Sequence, residues 1–248
     1  NRTINVVDTT PPVITIIGDA NLTHLASTTY VDQGANWTDL VDGNGTADSN
    51  GTVDHNNPGT YQIIYSVTDS SGNQAQQVTR TVNVVDSASP VITLIGDANI
   101  THEAGSVYTD AGAQWNDSVD GNGTADANGT VDHNNPGTYV ITYSFTDSSG
   151  NSAIDTNRTI NVVDTTPPVI TIIGDANATH LASTTYVDQG ANWTDLVDGN
   201  GTADANGTVD QDTPGTYQII YSVTDSSGNQ ALQVTRTVNV VDSASPVI

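Results

Sequence analysis

Residues 59–86 read GTYQIIYSVTDSSGNQAQQVTRTVNVVD and contain two segments in which apolar and polar residues alternate. This alternation, over residues 60–68 and again over 77–85, has the two-residue period of a β-strand with one buried face. The segments are separated by DSSGN at residues 69–73, which is typical of a tight turn because Gly, Asn, Asp and Ser favour turn conformations. The stretch therefore predicts two strands joined through a turn.

The residues between 8 and 58 continue this pattern of short strands and turns. No segment of helical length has apolar residues at a 3.6-residue spacing. Strands are predicted at residues 13–17, 22–26, 35–38 and 51–54, and residues 42–50, rich in Gly, Asn and Asp, are predicted to form a loop. Six to seven short antiparallel strands of this size favour an all-β fold in which two sheets pack as a β-sandwich.

The whole pattern recurs with a period of 78 residues, as the spacing of Trp37, Trp115 and Trp193 illustrates. Such a period suits a small independent domain better than a solenoid repeat. Three complete repeats are predicted, at residues 8–85, 86–163 and 164–241. Residues 1–7 are predicted to be the last strand of a preceding repeat, and residues 242–248 the first strand of a following repeat, because each copies the corresponding part of repeat 2.

Two types of repeat alternate along the chain. Repeats 1 and 3 differ at only six positions, whereas repeat 2 differs far more from both. This organisation is typical of a slice of a long covalent array. With strands of about ten residues, each domain would span about 35 Å, and three tandem domains would form an elongated rod on the order of 100 Å long.

Charge and composition exclude several classes of function. The 248 residues include 28 acidic and 4 basic side chains and carry a net charge of −24, which opposes binding to nucleic acid or to an anionic membrane. No run of 18 apolar residues suggests membrane insertion, and the absence of Cys excludes thiolate chemistry. His55 is replaced by Gln211 in the nearly identical repeat 3, so no catalytic His is indicated and the chain is predicted not to be an enzyme.

An ordered set of motifs gives the chain a family resemblance. It comprises PVITIIGD at residues 12–19, YVDQGA at 30–35, PGTY at 58–61, TDSSGN at 68–73 and TRTVNVVD at 79–86. The set resembles the bacterial Ig-like surface repeat, a domain type also seen in a pesticidal crystal protein and related to hyalin-type repeats. The resemblance covers all three repeats, and it implies tandem Ig-like sandwiches in secreted or surface-anchored adhesins. It also makes Tyr61 a tyrosine-corner residue, and Trp37 is expected to pack in the core.

The segment of residues 42–54 is the first candidate metal site. Carboxylate and amide oxygens alternate along it, and Gly residues permit tight turns, which suits a hard cation such as Ca²⁺. The segment lacks the bidentate Glu that completes an EF-hand loop, and a solvated loop without metal is the alternative. The predicted ligands are Asp42, Asn44, Asp48, Asn50 and Asp54, with Asp120, Asn122, Asp126, Asn128 and Asp132 in repeat 2, and Asp198, Asn200, Asp204, Asn206 and Asp210 in repeat 3.

The linkers between repeats are the second candidate site. Asp86 and Asp164 each follow the last predicted strand of one repeat and precede the first Pro of the next. Loop acids such as Asp69 or Asp19 are expected to meet such an Asp across the joint, where Ca²⁺ would neutralise their repulsion and stiffen the array. The alternative is a linker stiffened by Pro alone. Apart from Ca²⁺, no cofactor is predicted.

The sequence also contains fourteen N-x-S/T motifs, which predict N-glycans if the host glycosylates them. The predicted function is a structural segment of a long extracellular fibre, stalk or adhesin at a cell surface. Its partners would be adjacent repeats or neighbouring copies in a fibre. Two alternatives remain: a surface filament whose subunits join by strand donation, and a Ca²⁺-dependent glycan-binding module.

Overall fold

The computed structural model describes residues 1–243 as an all-β protein with seven strands in each repeat. Repeat 1 contains β1 (Val13–Ile16), β2 (Asn21–Leu25), β3 (Ala35–Asp39), β4 (Gly43–Thr46), β5 (Asp48–Asn50), β6 (Gly59–Ser66) and β7 (Val78–Val85). Repeat 2 contains β8 (Val91–Leu94), β9 (Asn99–Glu103), β10 (Ala113–Asp117), β11 (Gly121–Thr124), β12 (Asp126–Asn128), β13 (Gly137–Ser144) and β14 (Thr156–Val163). Repeat 3 contains β15 (Val169–Ile172), β16 (Asn177–Leu181), β17 (Ala191–Asp195), β18 (Gly199–Thr202), β19 (Asp204–Asn206), β20 (Gly215–Ser222) and β21 (Val234–Val241).

Each repeat has the same two sheets. In repeat 1 a three-stranded sheet has the order β1-β3-β4, and a four-stranded sheet has the order β2-β7-β6-β5. Neighbouring strands are antiparallel except for β2 and β7, which run parallel with Asn21 opposite Thr81. The prediction of tandem Ig-like sandwiches with six to seven strands each is thus confirmed, with one parallel pair that the sequence pattern did not indicate.

The core of repeat 1 lies where its two sheets face each other. Ile14 of β1 packs with Ile63 and Tyr65 of β6, and Trp37 packs against this group while remaining partly exposed. Repeat 3 repeats the arrangement with Ile170, Ile219 and Tyr221. The alternate residues of β6 that the sequence placed on one face are indeed the buried ones, so the core position predicted for Trp37 and the alternation of β6 are both confirmed.

The tyrosine corner is also present. The Tyr61 hydroxyl donates a hydrogen bond to the carbonyl oxygen of Asn57 at 2.9 Å. The equivalent hydroxyls of Tyr139 and Tyr217 bind the carbonyls of Asn135 and Thr213, both at 3.0 Å. The hydrogen bond back to the chain just upstream is the defining feature of this corner, and it fixes the start of β6 and its copies.

The prediction of a loop at residues 42–50 is wrong. These residues form β4 and β5, and the chain passes between the two sheets at the buried Ala47. Both strands carry almost wholly exposed side chains, so their formation depends on backbone pairing and leaves no apolar alternation to detect. The strand predicted at residues 51–54 does not form.

The terminal segments differ from their copies within repeats. Residues 1–7 form no strand, although the identical residues 157–163 lie in β14, where they pair with β13 and β9. The predicted first strand at 242–248 lies largely outside the described residues, since 244–248 are not described. The described chain forms two compact units. Unit 1 consists of Asn1–Ile95, Gly112–Ala127 and Tyr143–Thr156, and unit 2 of Gly96–Ala111, Asn128–Thr142 and the residues from Asn157 onward.

A glycine on the neighbouring strand faces each tryptophan, and the indole ring leaves no room for a side chain at that glycine. Gly123 stands opposite Trp115 in the β10–β11 pair, and a Cβ placed on it would lie 2.8 Å from the indole ring. Trp115 in turn stacks on Phe145, with ring centroids 3.9 Å apart and planes inclined by 7°. The indole is therefore held between Phe145 and the backbone of β11.

Replacing Gly123 by Ala is expected to destabilise repeat 2 by about 1–3 kcal/mol, the usual cost of overpacking. Urea unfolding followed by Trp fluorescence measures this cost. Gly137→Ala is the matched control, because its added methyl would make an ordinary contact at 3.6 Å with Tyr139. Equal destabilisation by both variants would contradict this account of the Trp–Gly contact.

Candidate metal centre

Within residues 1–243, three groups of aspartates lie together, each including the first residue of one repeat. Within each group, carboxylate oxygens of three residues lie within 4.8 Å of one another. We name the groups cluster 1 (Asp8, Asp39 and Asp69), cluster 2 (Asp86, Asp120 and Asp147) and cluster 3 (Asp164, Asp198 and Asp225). A fourth aspartate adjoins each cluster, at the end of β3 or a copy of it or in the turn that follows: Asp42, Asp117 and Asp195 respectively.

The linker aspartate of each cluster is held by a local turn. Asp86 directly follows β7, and its Oδ1 accepts a hydrogen bond from the backbone N–H of Ala88 at 3.0 Å. Its own carbonyl accepts from Nδ2 of Asn151 at 3.4 Å. Asp164 is bound in the same way by Thr166 and Asn229. The linker is thereby joined to the turn of the repeat that follows it.

The turn DSSGN supplies a second carboxylate. Asp147 Oδ1 accepts hydrogen bonds from the backbone N–H groups of Ser149 and Asn151, at 3.0 and 2.7 Å. Burial acts against the charge of Asp147, but the hydrogen bonds from Asn151 and Ser149 outweigh it, so its pKa lies below the usual value. The pKa values of Asp69 and Asp225 are lowered for the same reasons. These aspartates are therefore ionised at neutral pH.

The remaining carboxylates come from the last residue of β3 and its copies and from the turn that follows. Asp117 ends β10, and its Oδ1 accepts hydrogen bonds from the N–H groups of Val119 and Asp120 at 2.7 and 3.0 Å. The same two bonds form at Asp39 and Asp195. One oxygen of each residue is thus oriented by the backbone, which leaves the other directed elsewhere.

Many of those other oxygens are buried without a partner. Within residues 1–243, the side-chain oxygens that are shielded from solvent and lack a hydrogen bond are Oδ2 of Asp8, Asp39, Asp42, Asp86, Asp117, Asp120, Asp164 and Asp195. All eight belong to the clusters or their adjoining aspartates. The side chains of Asp117 and Asp164 are only 6% and 7% exposed. Burying unpaired carboxylate oxygens beside one another is costly, because each loses solvation and they repel.

This arrangement suits a hard divalent cation. Ca²⁺ takes six to eight oxygen ligands, with carboxylates prominent among them, and tolerates irregular geometry. Carboxylates that converge from a linker, a β-turn and a strand end would supply several such oxygens without further rearrangement of the backbone. A bound cation would also remove the repulsion between them.

The structure brings together only part of the ligand set predicted from the sequence. Asp86 and Asp164 of the linkers and Asp120 and Asp198 of the predicted loop lie in clusters 2 and 3, and Asp42 adjoins cluster 1. The predicted residues that lie in no cluster are all exposed: Asn44, Asp48, Asn50, Asp54, Asn122, Asp126, Asn128, Asp132, Asn200, Asp204, Asn206 and Asp210. Asn44 lies on β4 and Asp48 on β5, in different sheets, so these residues do not form one loop site.

The linker aspartates also meet other acids than expected. Asp86 lies with acids of repeat 2, the repeat that follows it, whereas Asp69 lies with Asp8. Asp19 is in no cluster, and its carbonyl accepts a hydrogen bond from Nε of Arg80. Asp69 was expected to meet a linker aspartate and does so in cluster 1, whereas Asp8, Asp39, Asp117, Asp147, Asp195 and Asp225 were not predicted as ligands. Their signal was available, since each position recurs as Asp in every repeat.

A second polar group, buried in the fold, was missed entirely. Arg80 is 1% exposed, and its Nη1 donates to Asp32 in an ion pair. The Tyr65 hydroxyl also donates to both oxygens of Asp32, each at 2.8 Å. Burial acts against the charge of Asp32, but the hydrogen bonds from Tyr65 and Arg80 outweigh it and lower its pKa. Arg158 with Asp110 and Arg236 with Asp188 repeat the pair, so this group is part of the fold.

The comparisons with known proteins agree with the fold. The family model described as "Bacterial surface protein, Ig-like domain" matches residues 14–84, 92–162 and 170–240. Hyalin of Strongylocentrotus purpuratus is 34% identical over 99% of this chain and 22% of its own length. Hyalin of Lytechinus variegatus is 35% identical over 68% of this chain and 35% of its own length. The chain therefore spans only about a fifth to a third of these relatives.

Solved structures are less similar. The structure of a 1.5-MDa bacterial ice-binding adhesin aligns with 84% of this chain and 83% of its own, at 14% identity and a TM-score of 0.22. A likeness of this size carries no argument about function. No helix suited to crossing a membrane occurs within residues 1–243.

Proposed function

Because the chain belongs to the family of bacterial surface proteins with Ig-like domains, we propose that it is a non-catalytic segment of an extracellular stalk or adhesin whose joints are stiffened by Ca²⁺. The observation that carries this proposal is the buried, unpaired oxygen of the linker aspartates Asp86 and Asp164, each beside acids of the next repeat. A structural role at the cell surface is also consistent with the similarity to hyalin.

Stiffening follows from where the ligands come from. Asp86 directly follows the last strand of repeat 1, whereas Asp120 and Asp147 belong to repeat 2. A cation bound by all three would therefore attach the linker to the next repeat. Without a cation, the same carboxylates repel and favour conformations in which the linker moves away. Cation binding would thus restrict the angle between successive repeats.

Glycans would be compatible with this role. The Asn side chains of all fourteen N-x-S/T motifs are exposed, so none would have to leave a core to be modified. We include N-glycosylation in the proposal as a property that the host would decide. The motif residues at Asn44 and Asn50 lie outside the aspartate clusters, so modification there would leave the cluster residues unmodified.

Small-angle scattering of the whole chain tests the stiffening. In saturating Ca²⁺ we expect a narrow set of inter-repeat distances, and in excess chelator a broader one. The double variant Asp86→Asn/Asp164→Asn is expected to give the broad distribution in both conditions. Ionic strength is kept equal throughout, because salt alone screens a net charge of −24. Scattering of the unmodified chain that is the same with and without Ca²⁺ would contradict the proposal.

A further inference from the structure

The two alternating repeat types create two chemically different joints. Residues 86–90 before repeat 2 read DSASP, whereas residues 164–168 before repeat 3 read DTTPP. Glu103, the only Glu in the chain, ends β9 of repeat 2, and its position is occupied by Leu25 in repeat 1 and Leu181 in repeat 3. The charged side chain is therefore present only before the DTTPP linker.

Glu103 binds that linker through both of its oxygens. Oε1 accepts from the backbone N–H of Thr165 at 2.8 Å and from the hydroxyl of Thr166 at 2.9 Å. Oε2 accepts from the hydroxyl of Thr165 at 2.8 Å. These bonds, led by the one from the Thr165 N–H, lower the pKa of Glu103. In the DSASP linker, Ser87 keeps a hydroxyl at the position of Thr165, but Ala88 has none at the position of Thr166.

Beside this contact, the small residue Gly105 faces the large side chain of Leu196. Gly105 follows β9, and a Cβ on it would lie 2.5 Å from Cδ2 of Leu196, a residue of repeat 3. At the preceding joint, the equivalent residues are Ser27 and Ser118, and the Ser27 hydroxyl donates to the Ser118 carbonyl at 3.0 Å. One joint thus combines Gly with Leu, and the other combines two serines.

The two joints differ in the size of the side chains that they bring together. A serine at position 105 would place its Cβ inside the space that Leu196 fills. A repeat with Ser118 in place of Leu196 would instead leave the surface around Gly105 uncovered. We propose that Glu103, Gly105 and Leu196, with Thr165 and Thr166, form a recognition surface on which repeat 2 holds repeat 3 and its linker through contacts that the joint between repeats 1 and 2 does not make.

Amide hydrogen exchange of Thr165, measured by NMR on the whole chain, reports the joint directly. Exchange is measured in excess chelator, so that a failure of the Ca²⁺ proposal does not affect the result. Gly105→Ser is expected to speed Thr165 exchange about tenfold, within the range of coupling between residues in contact. Adding Leu196→Ser should restore the rate to within about threefold of the unmodified chain, because it recreates the serine pair of the other joint.

Two further variants complete the test. Glu103→Gln removes the charged acceptor and is expected to speed Thr165 exchange by a similar factor. Ser27→Gly, at the matching position of the other joint, should leave Thr165 unchanged. A Gly105→Ser chain that exchanges like the unmodified one would overturn the proposal. The proposal would also be overturned if Thr165 exchanged as fast in Gly105→Ser/Leu196→Ser as in Gly105→Ser alone. Failure of both variants to fold would count as the same result.

Discussion

Addition of Ca²⁺ to the cation-free chain is expected to raise its melting temperature by about 10 to 20 °C. A ligand at 100 times its Kd stabilises the folded state by about 2.7 kcal/mol. For a domain of this size, each kcal/mol corresponds to about 4–8 °C. The effect should be large because the cation replaces repulsion with attraction among the buried carboxylates of each cluster. Differential scanning calorimetry with Ca²⁺ and with excess chelator measures it.

A pair of matched variants shows which acids are responsible. Asp86→Asn removes a charge from cluster 2, whereas Asp126→Asn removes one from the exposed start of β12. In chelator, Asp86→Asn is expected to be neutral or slightly stabilising, because it relieves repulsion. In Ca²⁺, Asp86→Asn should lose most of the rise in melting temperature of repeat 2, whereas Asp126→Asn should keep that rise. If Asp126→Asn lost the stabilisation by Ca²⁺ and Asp86→Asn kept it, the cation would lie in the segment predicted from sequence and not in cluster 2.

Replacing Asp32 by Ala is expected to lower the free energy of unfolding of repeat 1 by about 3–5 kcal/mol, the usual cost of leaving a buried charge without its partner. Arg80 is almost fully buried, and its other donors bind the carbonyls of Asp19, Ile17 and Gly34. It cannot turn toward water when Asp32 is lost. Tyr65 would lose its acceptor at the same time.

The measurement needs a probe for repeat 1 alone. In a Trp115→Phe/Trp193→Phe background, Trp37 fluorescence during urea unfolding reports that repeat. Asp48→Ala, which removes an exposed acid from the same repeat, is expected to cost at most about 0.5 kcal/mol. The double variant Asp32→Leu/Arg80→Met should be much less damaging than Asp32→Ala, because no charge is left unpaired. If Asp32→Ala and Asp48→Ala had equal costs, the ion pair would not have the role assigned to it.

The ion pair of Asp32 and Arg80 also predicts that acid lowers the stability of repeat 1. The pKa of Asp32 is lower in the folded chain than the value of about 3.9 usual for Asp in an unfolded one. Its contribution to stability is therefore complete above that value and is lost as the pH falls through the lowered folded-state pKa.

The fold could be predicted where side chains alternate between core and solvent. β6 and β7 have this alternation, and the tyrosine corner and the 78-residue period added independent support. β4 and β5 could not be found in this way, because their side chains are nearly all exposed. Arg80 was missed since a charged residue in a strand is normally exposed, and only a partner such as Asp32, distant in sequence, makes its burial possible.

The candidate metal centre was only partly predictable. The position of Asp86 and Asp164, between a last strand and a Pro, pointed to the joint. Which acids they would meet depended on the direction of the linker, and that is set by contacts such as Asn151 to the carbonyl of Asp86. Alternating acids in residues 42–54 suggested a continuous loop, but sheet pairing directs that segment to two different sheets. A one-dimensional spacing does not contain this information.

Equilibrium dialysis, which counts bound Ca²⁺, is the decisive test of whether the aspartate clusters are cation sites. We expect three ions per chain, one for each cluster. We also expect that Asp86→Asn and Asp164→Asn each weaken or remove one ion, while Asp126→Asn and Asp204→Asn remove none. No bound Ca²⁺ at millimolar concentration, or a count lowered only by the variants at Asp126 and Asp204, would contradict the assignment of the clusters as the cation sites.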